Sequence, residues 1–157
     1  MSGLLGNGFL GRSTHSVDKK NRVFLAKRFQ VVLPETTDGH RTAVLTAGRG
    51  GCLWLFDVAG FQKTLASFNT DPFAPEAELR KQRDFFEHAA EVSLDSSGRL
   101  LIPQGLMDLA GIEDSCVMVG MVQRVEIWSE GGWKSRERSE LALSASPRPD
   151  APREGTA

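Results

Sequence analysis

Short apolar runs broken by turn residues recur along most of the chain. In the second half, "EVSL", "RLLI", "CVMVG" and "RVEIW" are each rich in Val, Ile and Leu and bounded by Gly, Asp, Ser or Gln, which predicts strands over Glu91–Leu94, Arg99–Ile102, Cys116–Gly120 and Arg124–Trp128. Between the second and third of these, "IPQGLMDLAGI" changes period: Leu106, Leu109 and Ala110 fall at helical spacing, Pro103 suits a first helical turn and Gly111 a C-terminal stop. In the first half "AKRFQVVLP" occupies the corresponding place and ends at Pro34. A separate helix is predicted within "DPFAPEAELRKQRDFFEHAA", with Pro75 near its start, Glu76 and Glu78 in its first turn, and Leu79, Phe85 and Phe86 available to dock on a core.

The pattern is stated twice. "SVDKKNRVFL" and "SLDSSGRLLI" align with a period of 77 residues, so that Asp18 matches Asp95, Asn21 matches Gly98 and Arg22 matches Arg99. Later in each unit "CLWLFDVAGF" and "RVEIWSEGGW" align with a period of 72, the difference falling in the loop "PETTDGHRT". Each unit reads strand, turn, strand, short helix, strand, turn, strand. This divides the chain into a first unit over 7–62, a helical linker over 63–88, a second unit over 89–136 and a tail over 137–157, whose Pro-rich end and scarcity of apolar residues predict disorder.

Composition narrows the picture. With 157 residues, 40% apolar and 25% charged, this is the balance of a soluble globular protein. No run is long and apolar enough for a membrane span, and the first residues lack a secretory signal's charged and apolar regions, so a cytosolic location is expected. Cys52 and Cys116 stand alone and read as reduced packing thiols; His15, His40 and His88 are scattered, and neither a metal site nor a cofactor is expected. The net charge of −1 conceals an asymmetry: residues 1–50 hold eight Lys or Arg against three Asp or Glu, the remainder eleven against seventeen. The basic half contains the first repeated turn.

In D-x-x-[GN]-R the Asp can accept backbone N–H bonds and close the turn, while Gly98 or Asn21 supplies the positive φ. The Arg that follows can pair with that Asp or project from the hairpin end. Two such turns in matched four-strand contexts, "IP" at Ile102-Pro103, the "VGMVQRVEIW" strand pair and Trp133 together resemble the MraZ family over about residues 7–140. The resemblance implies a mainly β fold with short helices: two tandem AbrB-like swapped-hairpin units forming a double-psi-like β-barrel, plus a connecting helix. It further implies a homo-oligomeric ring that binds double-stranded DNA at promoter repeats of the division and cell-wall gene cluster as a transcriptional regulator, in the cytoplasm at the nucleoid. Carried onto this chain, Arg22 and Arg99 become candidate base readers, Lys19 and Lys20 phosphate positioners, Asn21 and Gly98 members of the DNA-binding turns, and Asp18 and Asp95 the residues that shape them. Asn21 departs from the family's usual Gly, and Ala26 stands where the second unit has Pro103.

Two other function classes are weighed against this. A protein-interaction or assembly module would use the same basic face against an acidic partner or another subunit. Catalysis is disfavoured, because no nucleophile is paired with a base and no Gly-rich phosphate loop follows a strand. Trp54, Phe56, Trp128 and Trp133 lie in or just after alternating strands, where packing is a better reading than base stacking.

Overall fold

The computed structural model of the chain describes residues 8–145. The first unit contains β1 (Phe9–Ser16), β2 (Arg22–Phe24), α1 (Lys27–Gln30), β3 (Thr42–Ala47), β4 (Leu53–Phe56) and α2 (Val58–Ala66). Next come α3 (Glu76–Glu87), β5 (Ala90–Ser93), β6 (Arg99–Leu101), α4 (Gln104–Ala110), β7 (Ser115–Val122), β8 (Val125–Ser129) and α5 (Glu130–Ala145). The four strands expected in the second unit are all present, with every end within two residues of its expected place.

The units exchange strands. An antiparallel sheet runs β1-β7-β8-β4-β3-β5, so the first strand of each unit pairs with the third strand of the other, and β4 joins β8 at the centre. The short strands β2 and β6 form a second antiparallel pair, with Arg22 opposite Leu101, Val23 opposite Leu100 and Phe24 opposite Arg99. The fold is thus mainly β with short helices, built from two tandem swapped-hairpin units, as the resemblance implied. Its ladders form two sheets, of six and two strands, that share the main core, and a smaller cluster of Cys52, Val117 and Trp128 is separate from it.

That core explains the exchange. Val23, Leu25 and Phe29 of the first unit and Leu100, Ile102 and Leu106 of the second are buried in one cluster with Leu45, Leu53, Leu55, Met118 and Ile127. A unit of this size cannot build such an interior alone, and interlocking supplies it within one chain. Truncating one of these side chains, Leu25→Ala for example, should remove roughly 2–5 kcal/mol. Because a domain holds only about 5–15 kcal/mol, both units depend on each contact.

Each unit also ends in a helix. Helix α2 begins after Asp57, whose carboxylate accepts the Gly60 amide at 2.8 Å. It brings Phe61 and Phe68 against Phe85 of α3, with ring centroids 5.6 and 5.0 Å apart. Phe56 joins the same group, and the hydroxyl of Thr46, on β3, donates to the Phe85 carbonyl at 2.6 Å. Of the three residues expected to dock α3, Phe85 is buried, Leu79 half-buried and Phe86 exposed.

Helix α5 corrects the expected boundary of order. Residues 137–145 continue it rather than beginning a disordered tail; residues 146–157 lie outside the described residues. The helix is supported by Trp133 packed edge-on to Trp128 at 6.0 Å, by Arg136 stacked over Trp133 at 3.7 Å and by an Arg136–Glu140 pair one turn apart. Trp128 and Phe56 are buried and Trp54 packs against Phe56 and Phe85, in keeping with the packing reading of the aromatics. Cys52 and Cys116 are free and buried, and burial pushes each thiol up to about 12. Among the described residues no helix is long and apolar enough to cross a membrane.

Candidate nucleic-acid interface

The two repeated turns share one hydrogen-bond pattern. In the first, one carboxylate oxygen of Asp18 accepts the Lys20 and Arg22 amides at 2.9 Å each, and the other accepts Nε of Arg22 at 2.8 Å. In the second, Asp95 accepts the Ser97 and Arg99 amides at 2.9 Å each and Nε of Arg99 at 3.0 Å. The fourth residue has positive φ in both, 61° at Asn21 and 83° at Gly98. Ala26 and Pro103 also adopt nearly one conformation, with φ/ψ of −50°/135° and −55°/143°. Neither departure from the family pattern alters the backbone route.

Strand exchange brings the turns together. The Leu25 amide donates to the Gly98 carbonyl at 3.0 Å, and the Ile102 amide donates to the Asn21 carbonyl at 2.9 Å. Arg99 Nη1 lies 3.9 Å from an Asp18 carboxylate oxygen. Each turn is also braced by a helix of the other unit. Asn21 Nδ2 donates to Gln104 at 2.9 Å from α4, and Gln30 of α1 lies so close to Gly98 that a Cβ there would sit 2.4 Å from its amide nitrogen. Gln30 is held by its own bond to the Leu25 carbonyl at 2.7 Å. Neither glutamine was singled out from sequence; the repeat register alone could have shown that Gln104 occupies Lys27's place.

Electrostatics fix how the arginines are held. Asp18 and Asp95 titrate below the ordinary carboxylate range, first because of the backbone N–H bonds from Arg22 and Arg99, with the guanidinium groups adding to the effect and desolvation opposing it. Both are ionised at neutral pH. The arginine and aspartate side chains remain about a third exposed, at 36%/36% for Arg22–Asp18 and 35%/37% for Arg99–Asp95. An ion pair this exposed is weakened by competing water. A bidentate guanidinium–guanine contact discriminates by roughly 1–3 kcal/mol, so the local pair is the weaker competitor for the side chain. Tethering through Nε orients the guanidinium and leaves its two Nη groups as a forked donor edge.

The charge around the turns is uneven. Lys19 and Lys20 are exposed at the first tip, where the second has Ser96 and Ser97. Other cations of the basic half are engaged elsewhere: Arg12 faces Glu137 of α5 at 3.6 Å, and Arg28 Nε donates to the Leu10 carbonyl at 3.1 Å. The sequence therefore overstates the number of cations free at the first turn. Phe24 and Leu101 were also missed; they flank the arginines on the outer face of β2–β6 and are 44% and 56% exposed.

A family model described as "MraZ protein, putative antitoxin-like" matches the chain twice, over residues 9–84 and 85–150. A protein of Acetivibrio thermocellus named transcriptional regulator MraZ is 35% identical over 127 residues, covering 81% of this chain and 85% of that protein. Its namesake in Clostridium acetobutylicum is 31% identical over 137 residues, covering 87% and 92%. One from Roseiflexus castenholzii is 34% identical over 127 residues, covering 81% and 85%.

Proposed function

The chain belongs to the MraZ family, and we propose that it is a transcriptional regulator that binds double-stranded DNA sequence-specifically. Its proposed targets are promoter repeats of the bacterial division and cell-wall gene cluster, which it occupies as a homo-oligomeric ring in the cytoplasm, at the nucleoid. The relatives' name supports the regulatory role. The observation that carries DNA binding is the meeting of two D-x-x-[GN]-R turns, each holding an ionised Asp against an Arg, beside the paired strands β2 and β6.

The dimensions suit this reading. Three-residue strands are about 10 Å long and lie roughly 5 Å apart. A two-stranded ribbon of that size fits the major groove, which is about 12 Å wide. Arg22 and Arg99 then read guanine edges, Lys19 and Lys20 contact phosphates, and Asn21 and Gly98 let the backbone approach closely. Asp18 and Asp95 keep the turns closed. A ring repeats this modest contact over tandem sites, so affinity for an array exceeds that for one site.

The test is a salt titration with duplexes selected by the protein from a random-sequence pool, against scrambled controls. Specific binding should persist at salt concentrations that abolish scrambled binding. Equal binding of both duplexes at every salt concentration would favour the interaction-module reading instead. Light scattering tests assembly, and a monomer at micromolar concentration would refute the ring.

A further inference from the structure

The outer face of β2–β6 carries two apolar side chains among its arginines. Alternation along the strands buries Val23 and Leu100 and turns Arg22, Phe24, Arg99 and Leu101 outward. Because Arg22 stands opposite Leu101 and Phe24 opposite Arg99, the face has an Arg at two diagonal corners and an apolar group at the other two. Phe24 and Leu101 match in the 77-residue repeat, so each unit presents one copy of the same Arg-x-apolar pair.

We infer that Phe24 and Leu101 determine specificity by contacting thymine methyl groups beside the guanines read by Arg99 and Arg22. The inference rests on the DNA-binding reading above. Its occupant is argued from continuity and charge: the two side chains lie on the same short ladder as both arginines, next to a tip carrying Lys19 and Lys20. A polyanion drawn to those cations therefore covers them. In the major groove the thymine C5-methyl is the apolar feature of a base edge, and Phe is among the side chains suited to it.

The probe is a duplex selected by the parent protein from a random pool and resynthesised with deoxyuridine for every thymidine, which deletes methyl groups while keeping base pairing. The parent should bind the uracil duplex more weakly, by about fourfold for each buried methyl lost. Phe24→Ser with Leu101→Ser should bind the thymine duplex more weakly and be nearly indifferent to the exchange. Melting temperature and light scattering on the same variant verify that it folds and assembles. A double variant that loses as much as the parent on methyl removal overturns the inference. So does one that no longer assembles, since the face would then be a subunit contact. A parent protein that does not distinguish the selected duplex from a scrambled one would sink the DNA-binding reading itself, and full preference retained by Arg22→Ala with Arg99→Ala would mean that these arginines are not its base readers.

Discussion

The turns Asp18–Arg22 and Asp95–Arg99 use the same bonds with different residues at their tips. Both need an Asp first to cap amides, positive φ at the fourth place and an Arg at the fifth. The two positions between are unconstrained by the turn, being Lys19-Lys20 in one and Ser96-Ser97 in the other. The shape of the turn and its arginine, the proposed base reader, are therefore duplicated, whereas the exposed tip lysines, the proposed phosphate contacts, belong to the first unit alone. A site read by this protein should have a direction, with its more tightly held end under the first turn.

Removing the shared element should have the largest effect. Arg22→Ala and Arg99→Ala should each weaken specific binding by roughly 1–3 kcal/mol and relax preference at the base that each contacts. On tandem sites the loss compounds with each subunit bound, so an array of sites should discriminate more steeply than a single one. Fluorescence anisotropy on one-site and several-site duplexes measures both effects. If one arginine alone carried all the loss, the turns would be alike in shape and unlike in function.

The fourth position sharpens the comparison next. Asn21→Gly keeps the positive φ and loses one exposed bond to Gln104, so stability should change by no more than about 1 kcal/mol. Asn21→Val puts a β-branched residue in a left-handed conformation and should cost about 1–2 kcal/mol or more. The reciprocal exchange is not equivalent. Gly98→Asn would drive its Cβ into the Gln30 amide and break that side chain's bond to the Leu25 carbonyl. It should destabilise by about 1–2 kcal/mol, and by less in a Gln30→Ala background. Urea unfolding of the four variants checks this, and equal tolerance at 21 and 98 would show that the close approach of Gln30 imposes no constraint.

These examples mark what was legible in the sequence. Strands, turns and positive φ at Asn21 and Gly98 were readable because each depends on residues within a few positions of one another. The exchange of strands was anticipated through the family resemblance, since periodicity does not say which strand a strand will join. The Asn21–Gln104 bond spans 83 residues and exists only because the units cross. Helix α2 escaped notice because "VAGFQKTLA" has Val58 and Gly60 in its first turn and is secured by the Asp57 cap and the Phe85 cluster. Helix α5 was missed altogether, because Gly131 and Gly132 stand in its first turn and its polar later turns resemble a solvated tail. Its anchors, Trp133 and Arg136, lie before them.

The tip residues offer a smaller, graded test. Lys19→Ala and Lys20→Ala should weaken all duplexes alike and each lower the slope of log affinity against log salt by about one. Ser96→Lys and Ser97→Lys should raise that slope and make affinity less dependent on which way round the site lies. If the lysine variants left the slope unchanged, the first turn would not be the phosphate-anchoring end.

Acid should expose the smallest difference, in how firmly each turn holds its carboxylate. Folding lowers the titration points of Asp18 and Asp95, from ordinary values of 3.8, so protons bind the unfolded chain more readily than the folded one. The stabilisation from both groups is therefore complete above about pH 4 and is lost as pH falls from there through the lowered folded values. Asp18 faces Arg99 as well as Arg22, and Lys20 gives its amide to the same carboxylate, whereas Asp95 has Arg99 and the Ser97 amide. Side-chain carboxyl NMR through the acid range should find both groups below 3.8. Arg99→Ala should raise the Asp95 titration only in part, because the backbone N–H bonds that lower it most survive the substitution. It should raise that of Asp18 slightly, because the lost guanidinium touches the first carboxylate only at 3.9 Å. An Asp18 titration unaffected by Arg99→Ala would mean that the turns are electrostatically independent despite their proximity, and that any coupling between them passes through the backbone bonds of Asn21 and Gly98.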